Sequence, residues 1–176
     1  MSSIIKVNTF QDANGNALFS SDGSGNVTLT NFPDNTPAFR AYANSAQAPS
    51  ADTDTKAQLD TESYDTDNCY DTSNYRFTPN VAGKYCFTWV AQDNYSSSGA
   101  SSIDIAIRKN GSDIAESRSN SRSTNHHETH VCTTVVDMNG TTDYVEFFLR
   151  HSGGSGFQWR DGSHRQYAEG YKLIGA

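Results

Sequence analysis

The sequence predicts an all-β sandwich, and three observations carry that prediction. Tyr85, Phe87, Trp89 and Ala91 occupy every second position of one run, with Cys86, Thr88 and Val90 between them. A strand there sends three large rings to one face, and rings of that size anchor one sheet against another. The composition holds 13 Gly, 9 Tyr and 9 Phe, with no long runs of Leu, Lys or Glu, a balance that favours strands and turns over helices. Two Asn-Gly pairs, Asn110-Gly111 and Asn139-Gly140, each lie between alternating apolar runs and read as hairpin turns.

At 176 residues the chain has room for one domain and an extension, and the order of its elements places the division near residue 36. In residues 1–36, Ile5, Val7 and Thr9 alternate, residues 12–16 form a turn, and Ala17, Leu18 and Phe19 are apolar. Residues 20–26 form a second turn and Val27 and Leu29 alternate again, which makes a three-strand meander. So small a sheet does not order itself on its own apolar side chains. It needs a further surface, supplied by the rest of the chain, by sister chains or by another protein. Residues 31–37 carry Pro33 and Pro37 in a polar setting and suit a stiff connector.

Residues 37–43 read as the first strand of the main domain, with Phe39 on one face. Residues 44–71 are polar and acidic, with Asp52, Asp54, Asp60, Glu62, Asp65, Asp67 and Asp71 against Lys56. Tyr75 to Phe77 end one strand, Pro79 and Gly83 break the pattern, and Lys84 begins the next. Residues 92–102 read as a Ser/Gly/Asn loop carrying Tyr95. Ile103, Ile105 and Ile107 then alternate as a half-buried strand that turns at Asn110-Gly111 into residues 114–117. Residues 118–128 read as an exposed loop, and residues 131–136 and 144–149 as the two arms of a hairpin around Asn139-Gly140. Val145, Phe147 and Leu149 face the core, which leaves Tyr144 and Phe148 pointing outward in need of a partner. Residues 151–156 read as flexible, residues 157–162 as an aromatic loop, and residues 167–174 as the closing strand.

Phe77, Pro79, Gly83, Tyr85 and Phe87 form an aromatic followed by a Pro-x-x-x-Gly-x-Tyr-x-Phe run. That run resembles the signature of the globular head of complement component 1q, a branch of the tumour-necrosis-factor-like jelly rolls. Ile103-Asp-Ile-Ala-Ile-Arg-Lys-Asn-Gly111, Asp143-Tyr-Val-Glu-Phe-Phe-Leu149 and Gly170-Tyr-Lys-Leu-Ile174 resemble later strands of that family, in its order. The resemblance covers residues 37–176 and implies a ten-stranded jelly roll that assembles as a homotrimer, with Tyr144 and Phe148 as interface candidates. The opening Met1-Ser-Ser-Ile-Ile-Lys-Val-Asn-Thr-Phe-Gln-Asp run is similar to the starts of virion structural proteins of marine tailed phages, particularly those of cyanobacteria. Together the two imply a trimeric surface appendage of a virion. Residues 1–30 would dock other virion proteins or hold the trimer, and the head would reach a host glycan or protein. The alternative is a capsid decoration or cement trimer with a structural role only.

Charge and composition narrow the partners. A net charge of −7 with a pI near 5.0 repels phosphate backbones and anionic lipids, which argues against nucleic acid. No apolar run approaches the roughly 20 residues that span a bilayer, so membrane insertion is not expected. Residues 1–7 lack the basic start and long apolar run of a signal peptide, which predicts synthesis in a cytosol; the phage resemblance implies that this is a host bacterial cytoplasm and that the protein resides on the virion surface. The cysteines Cys69, Cys86 and Cys132 show no metal-type spacing, and Cys69 with Cys86 is the one bridge to check.

No serine sits in a nucleophile elbow and no triad order is present, so no enzyme activity and no cofactor are expected. Tyr95, Trp159, Arg160 and Asp161 fall in predicted loops, where an exposed ring beside charged donors can hold a sugar; the competing reading packs Trp159 under its own loop. Two sets of residues qualify as weak metal ligands. Asp65 and Asp67 have the chemistry for calcium but lack the glycine and distal glutamate of a dedicated loop. His126 and His130 are four apart, a spacing that converges on a helix and not on a strand or loop.

Overall fold

The computed structural model describes residues 7–30, 34–94, 98–120 and 127–175, which fall into two compact units, Met1–Asp34 and Asn35–Ala176. The first unit is a meander of β1 (Thr9–Gln11), β2 (Ala17–Ser21) and β3 (Val27–Leu29), antiparallel in the order β1-β2-β3. Both turns close on an aspartate. Asp12 Oδ1 accepts the backbone N–H groups of Asn14 and Asn16 at 2.8 and 2.9 Å, and its Oδ2 accepts Asn16 Nδ2 at 2.9 Å. Asp22 does the same with Ser24 and Asn26, at 2.7 and 3.2 Å from the backbone and 2.6 Å from Asn26 Nδ2. The Asn16 and Asn26 side chains hold the two carboxyls below their ordinary range.

The second unit contains β4 (Ala38–Tyr42), β5 (Thr55–Lys56), β6 (Thr61–Asp65), β7 (Tyr70–Asp71), β8 (Arg76–Phe77) and β9 (Gly83–Asn94). It continues with β10 (Ser98–Lys109), β11 (Ser112–Asn120), β12 (Thr129–Met138), β13 (Val145–Ser155), β14 (Gln158–Trp159) and β15 (Gln166–Lys172). No helix forms among the described residues. The strands make two six-stranded antiparallel sheets. One runs β11-β10-β13-β8-β7 with β5 on β13, the other β12-β9-β15-β4-β6 with β14 on β9. Of these twelve strands, β5, β7, β8 and β14 are two-residue pieces, and the other eight are longer.

Tyr85, Phe87, Trp89 and Ala91 of β9 all point inward and are fully buried, as their alternation predicts. Phe39 stands where the sheets meet. Its ring stacks on Tyr70 at 4.9 Å and on Phe77 at 4.7 Å, and lies within 6.4 and 6.2 Å of Phe87 and Phe147. Trp89 Nε1 donates across the sandwich to the Phe148 carbonyl at 3.2 Å. Gly170 lies under this cluster: a Cβ there would sit 2.5 Å from Phe87 and 3.0 Å from Phe39.

Several expected loops are strand or core. The acidic stretch contributes Ala57, Leu59, Cys69 and Tyr70 to the interior. Polar strand ends extend β9 to Asn94, β11 to Asn120 and β13 to Ser155, because ladder hydrogen bonds need backbone and not apolar side chains. His151, expected in a flexible run, is buried and stacks on Phe157 at 4.4 Å. Ile103, Ile105 and Ile107 are buried on the inner face of β10, as their alternation predicts.

The two Asn-Gly pairs diverge. Asn110-Gly111 is a two-residue hairpin turn with φ of 50° and 83° and Lys109 opposite Ser112. Asn139-Gly140 is no hairpin, since β12 pairs with β9 and β13 with β10, in different sheets. The Asn139 side-chain oxygen accepts the N–H groups of Thr141, Thr142 and Asp143 at 2.9, 3.0 and 3.0 Å, and so builds a corner that carries the chain from one sheet to the other.

Trp159 corrects the loop expectation most directly. It lies in β14, paired with Asp93 of β9, fully buried against Phe157 at 5.4 Å. All three cysteines are free thiols.

Three outcomes follow from this core. Gly170→Ala forces Cβ into two rings and lowers stability by about 1–3 kcal/mol, read from the urea midpoint. Trp159→Ala lowers it by about 3–5 kcal/mol, the cost of a large core ring, in the same assay. Burial pushes the Tyr85 phenol up to about 12 and raises that of Tyr70 as well. A phenol in the unfolded chain titrates near 10, so this part of the stability is intact below about pH 10 and is lost as pH rises toward 12. The urea midpoint falls over that window, and Tyr85→Phe shows a smaller fall.

Candidate functional site

With its inner positions filled by the core, the sheet β12-β9-β15-β4-β6 turns its alternate residues outward. Strand register arranges them in rows. Val131, Val90, Tyr167 and Tyr42 form one row, and Thr133, Thr88, Glu169, Arg40 and Tyr64 the next. Val135, Cys86 and Tyr171 form the third. Val131 is 52% exposed, Val135 53%, Tyr64 45% and Tyr171 38%, which makes these the large apolar side chains that the sheet leaves in water. At the centre, Arg40 Nη1 meets Glu169 Oε2 at 2.7 Å, and its guanidinium lies 4.0 Å over the Tyr167 ring. A second pair, Lys84 Nζ with Asp137 Oδ1 at 2.7 Å, stands beyond the third row, and tyrosines and valines among charges already matched within the chain suit a protein interface.

The interface candidates named from sequence lie on the opposite sheet and are covered by their own chain. Arg76 sits 5.1 Å over the Tyr144 ring and Arg108 4.0 Å over Phe148. Arg108 is held in place by Asp113 at 2.6 Å and by Asp54 at 2.5 Å. Those contacts hold the Asp54 carboxyl below its ordinary range. Phe148 therefore already has the partner that alternation demanded. Asp54, Asp104, Arg108, Glu116, Arg118 and Arg150 line a groove of about 210 Å³ beside it, in which Arg118 Nε pairs with Asp104 Oδ1 at 2.9 Å.

The sugar-site set does not assemble as one exposed patch. Trp159 offers no face to a ligand, and Arg160 donates from Nη1 to Gln92 Oε1 at 2.9 Å. Asp161 is exposed, and Tyr95 lies outside the described residues. Among the metal candidates, Asp65 accepts the backbone N–H groups of Tyr70 and Asp67 at 2.8 and 3.4 Å, so its carboxylate closes a turn. His130 is buried with its ring 6.1 Å from that of Trp159, and His126 lies outside the described residues. No group of three metal-ligating side chains gathers among the described residues. Sequence reading overlooked the Tyr and Val face, although its signal was present: Tyr167 and Tyr171 alternate with Ala168 and Gly170.

No family model and no curated protein sequence matches the chain. Solved structures do. The globular domain of zebrafish complement 1qA is similar at 13% identity with a TM-score of 0.58, over 79% of this chain and 98% of that one. Murine APRIL at pH 8.0 is similar at 6% identity and 0.60, over 77% and 98%. Eiger TNF from S. frugiperda is similar at 11% identity and 0.56, over 81% and 96%. The order of strands, the two antiparallel sheets and these likenesses establish that the chain carries the jelly-roll fold of complement 1q heads and tumour-necrosis-factor-like proteins.

Proposed function

We propose that this chain is a virion structural protein of a tailed phage, a homotrimeric surface appendage whose jelly-roll heads pack through the face of Tyr64, Val131, Val135 and Tyr171. Residues 1–30 attach it to other virion proteins, and the head meets a host-surface glycan or protein. The observation that carries the self-association is that face: its rings and valines are exposed in one chain, and its central charges are already paired. An identical copy meets it without leaving a buried charge unmatched. The similarity of the opening residues to phage virion proteins supports the particle, and the likeness to complement 1q heads carries the expectation of three copies. Placement on a tail or head fibre, with residence on the virion surface after synthesis in the host cytoplasm, follows from the same reading.

Sedimentation equilibrium tests the assembly. The purified chain runs as a trimer at micromolar concentration, and Tyr171→Glu combined with Val135→Glu weakens association by a hundredfold or more, about 3 kcal/mol. A single-chain species for the unaltered protein overturns it. Gold-labelled antibody against the head, applied to intact virions, then tests the placement. Label at fibre tips together with slower host adsorption in the presence of free protein fits an adhesin. Label spread over the capsid with unchanged adsorption fits a decoration trimer.

A further inference from the structure

Residues 10–29 contain one pattern twice. Asp12, Gly15, Asn16, Ala17 and Phe19 recur ten positions on as Asp22, Gly25, Asn26, Val27 and Leu29. Each copy supplies one aspartate-closed turn, with Gly15 at φ 84° and Gly25 at φ 95°, and one strand. The register of the strands then brings the apolar members together: Phe10 stands opposite Phe19, and Phe19 opposite Leu29. The Phe10 and Phe19 rings stack at 4.6 Å, and Val27 joins this face opposite Ser21. Thr9, Ser20 and Thr28 lie on the other face, with Leu18. The apolar face is open: Phe10 is 44% exposed, Leu29 48% and Val27 59%.

We propose that this face is covered by the same face of two further copies of the chain, so that three N-terminal sheets close around one apolar core as the walls of a prism. The inference rests on the homotrimer reading above. Size selects sister copies over an unrelated partner. Four apolar side chains per sheet fall far short of the roughly 800 Å² per partner that a stable interface between free proteins buries. Sheets tethered to heads that are already associated meet at an effective concentration in the millimolar range, where so small a face suffices. Charge agrees with this choice. The described residues 7–30 carry only Asp12 and Asp22, both in turns and neither on a strand, so no charge lies on the strand faces that meet. Adjoining copies also bring the outer edges of β1 and β3, each paired on one side only among the described residues, within reach of a neighbour.

Two single-cysteine additions to the otherwise native full-length chain test this, with the unaltered chain as control for its own thiols. Val27→Cys on the apolar face is linked between chains by a short bismaleimide at least tenfold faster than Thr28→Cys on the opposite face. Phe10→Asp, which puts charge into the core, leaves the trimer mass unchanged and speeds protease cleavage within residues 7–30 by at least tenfold. A trimer in which Val27→Cys links no faster than Thr28→Cys, or in which Phe10→Asp is cleaved no faster than the unaltered chain, overturns the prism and leaves the head trimer standing. A single-chain species in sedimentation overturns the homotrimer reading, and the prism falls with it.

Discussion

The contact on which the head depends is the ring cluster about Phe39. β4 and β9 belong to one sheet and β7, β8 and β13 to the other, and a side chain from each of these strands meets in this cluster. Stacked rings fix both the spacing of the two sheets and their offset along the strands, because each ring has few low-energy placements against the next. Gly170 is a consequence of that placement: Phe87 and Phe39 occupy the space a side chain would need. The hydrogen bond from Trp89 to the Phe148 carbonyl adds a directional tie between the same two sheets.

Once the inner positions are committed in this way, alternation leaves each sheet a fixed outer face, and the two faces are finished differently. On the β10-β11-β13 side, arginines lie over the rings and aspartates hold the arginines, so the apolar area is roofed within one chain. On the β12-β9-β15-β4-β6 side, tyrosines and valines remain in water and the one central ion pair is internally matched. This asymmetry is why the proposed self-association uses the second face.

Much of this was legible in the residues. The Tyr85, Phe87 and Trp89 alternation gave the core strand, and Asn110-Gly111 gave a hairpin. The order of family-like pieces matched the fold the likenesses establish. What escaped reading has identifiable physical causes. Asn139-Gly140 carries turn chemistry, but whether a turn joins paired strands or crosses between sheets is decided by which strands each arm meets, and that is a long-range property. Trp159 and His151 sit among glycines and serines, so local composition read as loop while burial was decided by the neighbouring β9 and by Phe157. Phe148 was rightly read as an outward ring, yet its cover, Arg108, lies 40 positions away in sequence and was not inferable from the strand itself.

The aspartate-closed turns of the N-terminal sheet have an implication for how such a segment varies in length. The aspartate hydrogen bonds that close each turn lie within its own five residues, so the closure is local. A ten-residue block can then be spliced in or out as a module, with every inward and outward position preserved, because an even number of residues keeps the pleat in phase. Length becomes a quantity that gene duplication can adjust in steps of one turn and one strand.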